Sequence, residues 1–322
     1  MKAIFVEEPG GVEAIRYADL PTPQAGPGQA LVKIEASGVN FIDIYFRTGL
    51  YKAEPPVQLG MEGAGTVEAV GPDVTNVKPG DRVAYAMSRG SHAEYAVVPA
   101  WQLTPVPDGV DFTTAAGIML QGMTAHYLTH STFPLKAGDT CLASAAAGGV
   151  GLLLVQMAKK LGATVIGMTG TEDKAELARK AGADHVIIYT KQDFPAEVKK
   201  LTNGRGVDVF YDSVGAATFL PGLDCIRPRG MMVTFGNASG PVPEIAPLVL
   251  NQKGSLFLTR PTLAHYASTR EELMWRSGDL FSWLKDGSLK LHVDHVYPLS
   301  ETAQAQTDLA SRKTTGKLVL KP

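Results

Sequence analysis

Apolar and polar positions along this chain fall into two regimes. From Thr140 onward, apolar runs of strand length alternate with helical periods. Thr140 to Ala143, Thr164 to Met168, His185 to Tyr189, Val207 to Tyr211, Met231 to Phe235 and Ser255 to Leu258 read as six strands. Leu152, Val155, Gln156 and Lys159 begin a helical period that stops at Gly162. Thr171 to Lys180 reads as an amphipathic helix closed by Gly182, and Glu197 to Leu201 lies in another. Strands alternating with helices at this spacing predict a doubly wound parallel sheet covered on both faces.

The earlier part has a different texture. Lys2 to Val6 reads as a strand. Leu31 to Ala36 and Gly65 to Val70 alternate apolar and polar positions, and Arg82 to Ala86 and Ala93 to Val98 follow across turns such as Lys78-Pro79-Gly80-Asp81. Short strands between Pro/Gly turns predict an antiparallel β domain. Ala115 to His130 reads as a helix bridging into the second regime. After the sixth strand come a helix, Thr269 to Lys285, a strand, Leu291 to Tyr297, a helix, Glu301 to Ser311, and a last strand, Lys317 to Leu320. That tail is too small to stand alone and is expected to return to the first domain. The expected division is 1–122 with 263–322 as a β domain, and 123–262 as the parallel-sheet domain.

Between the first strand and first helix of the parallel regime lies Ala145-Ala146-Ala147-Gly148-Gly149-Val150-Gly151. Strand, glycine turn, helix is the context of a dinucleotide-binding loop, where backbone N–H groups at a helix N-terminus meet a pyrophosphate. Ala146 stands where the usual G-x-G-x-x-G fingerprint has its first glycine. Taken alone, such a loop equally serves close helix–strand packing.

Composition narrows the classes. The 322 residues suffice for two domains, and 45% hydrophobic against 19% charged describes a compact chain rather than a disordered one. A formal net charge of −2 gives no electrostatic reason to expect nucleic acid or an anionic membrane as partner. No apolar run is long enough to span a bilayer, and Met1 to Val6 meets acids and Pro9-Gly10-Gly11 too soon for a signal peptide. Cys141 and Cys225 lie in apolar segments and read as buried thiols of a reducing, cytoplasmic compartment.

No cysteine cluster exists for a structural zinc. His126 and His130, four apart, lack a third ligand and read as one packed and one solvated histidine. The second strand ends Gly167-Met168-Thr169-Gly170-Thr171 without the acid that holds a ribose 2′-OH in NAD-specific folds. Glu172 and Asp173 read as first-turn acids of a helix capped by Thr171. Lys174 is then either a solvated helix lysine or a partner for a 2′-phosphate.

The residues resemble a family, the medium-chain dehydrogenase/reductases, and within it the zinc-free, zeta-crystallin-like NADPH:quinone reductases. The likeness covers the whole chain. It is carried by Gly38-Val39-Asn40-Phe41-Ile42-Asp43, Leu59-Gly60-Met61-Glu62-Gly63-Ala64-Gly65, Pro79-Gly80-Asp81-Arg82-Val83, the Ala145–Gly151 loop, Tyr211-Asp212-Ser213-Val214-Gly215 and Phe235-Gly236-Asn237. Asn251-Gln252-Lys253-Gly254-Ser255 and Leu258-Thr259-Arg260-Pro261 look like its bacterial branch. The resemblance implies a GroES-like β domain, a Rossmann domain, NADPH in the cleft between them, and a homodimer. It makes the missing first glycine ordinary. Zinc members of the superfamily keep a cysteine and a histidine where this chain has Val39-Asn40 and Met61-Glu62, so no metal is expected.

By the same resemblance Gly149 and Val150 contact the pyrophosphate, and Gly170, Thr171, Lys174 and Tyr189 lie at the 2′-phosphate end. Ser213, Phe235, Gly236, Asn237, Leu258 and Arg260 line the rest of the cofactor groove, with Lys317 from the tail. Asn40, Asp43 and Tyr127 are the contacts implied from the β domain and the bridging helix. Residue by residue, Asp43 could instead cap a helix, Ser213 close a turn, and Tyr127 belong to the core.

A quinone needs no Lewis acid to accept electrons. The protein has only to hold a flat ring against the nicotinamide and exclude water. Tyr45 and Tyr51, with Asn40, are candidates for that pocket, and no catalytic acid is named. Reduction of enals or enoyl thioesters by the same fold, and a non-enzymatic crystallin or RNA-binding role, stay open beside quinone reduction. The missing basic stripe speaks against RNA.

Overall fold

The computed structural model describes residues 1–322 and divides the chain into two compact units. Met1–Met123 with Tyr266–Pro322 form one, and Thr124–His265 the other.

The first unit is built on the strand Gln29–Val39, which pairs antiparallel with Glu62–Val70, Tyr95–Pro99 and the chain's last strand, Lys317–Lys321. Its alternation works as predicted: Val32 and Ile34 are buried and Lys33 is exposed. The sheet runs on through Arg82–Ala86 to Thr104–Pro105 on one side and through Lys317–Lys321 to Val293–Pro298 on the other. One pair in it, Val293–Pro298 with Lys317–Lys321, is parallel, because the helix Thr302–Ala310 carries the chain back between them. Leu318 and Leu320 share a core with Ile4, Val6, Val39 and Leu59, so burial of apolar surface ties the tail to the chain's beginning.

A second small sheet, Ile15–Asp19, Lys2–Val6 and Val57–Gln58, flanks this core. The helix Phe41–Arg47 starts on a capping box. Asn40 is the N-cap, and the Asp43 carboxylate accepts from the Asn40 backbone N–H at 2.8 Å. The capping role open to Asp43 in the sequence is therefore the one it plays in this structure.

The second unit is a six-stranded parallel sheet, in the order His185–Ile188, Thr164–Thr169, Thr140–Ala143, Val207–Asp212, Ile226–Thr234, Phe257–Thr259. That is the doubly wound 3-2-1-4-5-6 order, with its switch point between Thr140–Ala143 and Val207–Asp212. The strand expected at Met231 begins earlier, at Ile226. It passes through Pro228, Arg229 at φ +58° and Gly230, where the sequence pattern reads as a turn, and a register shift accommodates them. The helix expected at Ala115 to His130 is α-helical over Phe112–Tyr127 and widens into a π-helical turn, Leu128–Thr132.

The glycine loop explains its own irregularity. Ala145 sits at φ +48°, and the Ala146 N–H donates to Met168 O at 3.0 Å. The Ala146 methyl fills space beside Gly167, where a side chain would meet it at 2.9 Å. A glycine on the neighbouring strand thus compensates for the alanine in the fingerprint. Gly151 has no such latitude: a Cβ there would lie 2.8 Å from Ala146 Cα and also against Ala145 O. Gly151→Ala should cost about 1–3 kcal/mol by overpacking. Urea unfolding should show a lower midpoint at unchanged slope, and an unshifted midpoint would contradict this packing.

Candidate active site

In the parallel-sheet unit, six residues immediately follow the last residues of the six strands: Ser144, Gly170, Tyr189, Ser213, Phe235 and Arg260. Because the strands are parallel, these residues line one edge of the sheet, the edge where open α/β sheets bind ligands. Five of them are sequence candidates, and Ser144 is an addition. At the switch point the Ser213 N–H donates to Ser144 Oγ at 2.8 Å, which closes the strand-end turn. The helix Gly149–Lys160 starts there on Gly148, with no side chain capping its first N–H groups. Gly149 and Val150 open that first turn, only half-buried, so its donors are available to an anion.

At the second strand, Thr171 caps the helix Glu172–Lys180, its Oγ1 accepting from Lys174 N at 3.4 Å. Glu172 pairs with Arg179 at 2.8 Å. The two first-turn acids therefore belong to the helix, as the sequence suggested. Lys174 is half-buried, and the exposed Tyr189 carries its hydroxyl 3.1 Å from where a Gly170 side chain would begin. Arg260 Nη1 donates to Gly236 O at 3.4 Å. With its amide oxygen turned to Arg260, Asn237 accepts from Nη2 at 3.2 Å and donates to Gly236 O at 3.0 Å. Leu258 lies within the edge strand, exposed, and Tyr127 is buried in the core. The rings of His126 and His130 stack 4.3 Å apart, with His126 fully buried.

In the first unit, the candidates Asn40, Asp43 and Lys317 meet in an enclosed polar cluster. Lys317 Nζ bonds to Glu62 Oε1, to Asn40 Oδ1 at 2.9 Å and to Val39 O at 3.2 Å. Asn40 Nδ2 donates to Glu62 Oε1 at 2.8 Å, and the Leu120 N–H donates to Glu62 Oε2 at 2.6 Å. Gln121 Nε2 donates to Asn40 Oδ1 at 3.3 Å. The side chains of Lys317 and Glu62 are fully buried. The Lys317 ammonium thus holds Asn40, Glu62 and the Val39 carbonyl together.

Burial pushes the Asp43 carboxyl up to about 7, against stabilising bonds from the Asn40 and Gly60 N–H groups and the positive charge of Lys317. Burial likewise pushes His92 down to about 4; its Nε2 lies 3.9 Å from Asp43 Oδ2. Tyr45 is buried, and its ring lies 5.2 Å from that of the half-buried Tyr51, which also meets Phe46 edge-on at 5.8 Å. The two tyrosines therefore form one aromatic cluster, closed by the Tyr51 N–H donating to Tyr45 O at 3.0 Å.

Sequence reasoning missed Glu62, His92 and Gln121 as members of this cluster. The available signal was Glu62 itself, an acid inside the otherwise apolar and glycine-rich run Leu59 to Gly65. No group of three His, Cys, Asp or Glu side chains converges to hold a metal ion.

A GroES-like β unit joined to a doubly wound unit with an anion-ready loop defines a two-unit dehydrogenase/reductase. The comparisons agree: residues 26–108 match the alcohol dehydrogenase GroES-like domain, and residues 149–276 the zinc-binding dehydrogenase family. The chain belongs to the medium-chain dehydrogenase/reductase superfamily, in its quinone oxidoreductase family. It is 47% identical to a quinone oxidoreductase of Pseudomonas aeruginosa, over 97% of each chain. It is 44% identical to a 2-haloacrylate reductase of Burkholderia, covering 99% of this chain and 98% of that one. The solved structure of Escherichia coli quinone oxidoreductase complexed with NADPH matches with a TM-score of 0.98 at 41% identity, with both chains fully covered.

The buried titrations make a signed prediction. Asp43 holds a proton in the folded state from about pH 4 to 7 that it lacks when unfolded, so its contribution to stability falls as pH rises through that window. His92 lacks one between about 4 and 6.5, so its contribution rises with pH there. The two slopes oppose each other in the parent protein. Asp43→Asn removes one and leaves the other, so stability relative to the parent should climb from pH 4.5 to 6.5 in urea titrations. Parallel pH profiles would contradict these assignments.

Proposed function

We propose that this chain transfers hydride from NADPH to a quinone, without a bound metal, using residues of both units. The observation that carries the reading is the strand-end line of the parallel sheet. It has an uncapped helix start at Gly149 and Val150 for a pyrophosphate, and Lys174 and Tyr189 beside an acid-free second strand end for a 2′-phosphate. The NADPH complex of the Escherichia coli relative supports it.

The bound dinucleotide supplies the hydride. Ser213, Phe235, Gly236, Asn237, Leu258 and Arg260 would line the groove that orients it, with Gly170 and Thr171 at the adenosine end. Tyr45 and Tyr51 would offer flat faces to the quinone ring, and Asn40 and Asp43 would act from the enclosed cluster behind them. Quinone, NADPH and one proton give hydroquinone and NADP⁺, and solvent can supply the proton. Within the cluster, the Lys317 ammonium bonded to Asn40 and Glu62 is a positive charge where a metal ion would meet repulsion.

Reduction of an activated alkene is the second reading, favoured by the identity to 2-haloacrylate reductase. It requires protonation at carbon. Steady-state kinetics with NADPH and NADH against a panel of quinones and conjugated enals separates the two: faster turnover of quinones supports the proposal, and turnover of enals alone overturns it.

We also infer a homodimer. The sheet ends on the short strand Phe257–Thr259, where Phe257 is 59% exposed and Leu258 is exposed beside it, an edge suited to a second copy. A single-chain mass by light scattering would contradict this. Both cysteines are free and buried, which suits a reducing cytoplasm.

The cofactor choice is testable at one residue. A charge-assisted bond from Lys174 to a 2′-phosphate is worth roughly 1.5–3 kcal/mol, reduced by solvent and salt. Lys174→Ala should weaken NADPH about tenfold and leave NADH unchanged, as read by fluorescence titration. An equal loss for both cofactors would show that Lys174 acts through folding.

A further inference from the structure

The enclosed cluster of the first unit leaves the Gln121 amide oxygen unused, and its chemistry is fixed by its neighbours. Lys317 Nζ can only donate, so the atom it meets at 2.9 Å on Asn40 is the amide oxygen. The Glu62 carboxylate can only accept, so the atom it meets at 2.8 Å is the Asn40 nitrogen. The ion pair thus sets the orientation of the Asn40 amide. That orientation in turn sets Gln121: the group at 3.3 Å from the Asn40 oxygen must be the Gln121 nitrogen. The Gln121 oxygen, Oε1, is what remains. It is buried and has no hydrogen-bond partner.

A buried acceptor without a donor is costly, and native structures keep few of them without a reason. Two other orphans of this cluster, Asp43 Oδ1 and His92 Nδ1, belong to side chains that are 1% and 0% exposed, closed to any ligand. Gln121 is 8% exposed and lies at the cluster's margin. Of the three orphans, it belongs to the least enclosed side chain.

We propose that Gln121 is a ligand-binding residue whose carboxamide oxygen accepts a hydrogen bond from an N–H or O–H donor of the reacting partners. Resting on the function proposed above, that donor is either the carboxamide of the nicotinamide ring or the hydroxyl of the hydroquinone product. Both present a neutral donor next to an aromatic ring, and the acceptor is tuned for it: the Lys317–Glu62 pair prevents the amide from flipping to present a donor instead. The cost of the orphan is then a preorganisation for binding.

Gln121→Met, similar in shape but without the oxygen, tests this in the full-length protein with two readouts. Loss of one neutral hydrogen bond should weaken the ligand about two- to tenfold. The melting temperature of the ligand-free protein should hold or rise, because a buried orphan is removed. The source is separated by an NADPH analogue carrying acetyl in place of the carboxamide. If the cofactor donates, the parent binds the analogue about two- to tenfold less tightly than NADPH, and the variant does not discriminate. If the product donates, discrimination between NADPH and the analogue is the same in both proteins, and product inhibition by hydroquinone weakens in the variant. The proposal is overturned if the parent binds NADPH and neither effect is seen, whatever the melting temperature does. It is also overturned if the variant melts lower while cofactor and product act as in the parent. Failure of the parent to bind NADPH at all would instead sink the functional reading on which the proposal rests.

Discussion

The buried pair of Lys317 and Glu62 is the constraint on which the β unit's site depends. Both side chains are fully enclosed, so each charge is tolerable only because the other is there. The ammonium also holds the Asn40 side chain and the Val39 carbonyl, and the carboxylate holds the Leu120 N–H. One interaction therefore joins the last strand, the end of the strand Gln29–Val39, the start of the strand Glu62–Val70 and the helix Phe112–Tyr127. Asp43 belongs to the same cluster, its carboxyl raised to about 7 mainly by burial and further by the Glu62 charge. Its capping bond to the Asn40 N–H then sets the start of the helix that carries Tyr45.

The parallel-sheet unit organises its candidates differently, by topology rather than by charge. A doubly wound order puts every strand's carboxyl end on one edge, so residues far apart in sequence share a line. The glycine loop is tied to the second strand by the Ala146 N–H and fitted to it by Gly167, which leaves the first turn of its helix uncapped. The polar cluster is enclosed, whereas the sheet edge is half-exposed.

Much of this was legible in the sequence, for physical reasons. Six apolar strands with helical spacers leave a period that needs no tertiary information, and turn chemistry marked Thr171 as a cap. The strand through Pro228 and Gly230 was not legible, because those residues signal a turn unless a bulge absorbs them. The helix Phe41–Arg47 is too short to show a period. Family likeness gave Lys317 as a cofactor contact, whereas its bonds to Glu62 and Asn40, partners 255 and 277 residues away, leave no local signal in the sequence. Gln121 carried no local signal at all. Its significance lies in an unused oxygen, which only the completed hydrogen-bond network exposes.

The proposed transfer of hydride to a quinone would run without a metal, with the Lys317–Glu62 ion pair enclosed in the β unit. The most direct measurement is the rate of NADPH oxidation by a simple quinone after exhaustive dialysis against a chelator, with metal content determined on the same sample. An undiminished rate is expected, with metal far below one equivalent per chain. A rate that collapses on chelation and returns with stoichiometric zinc would contradict it.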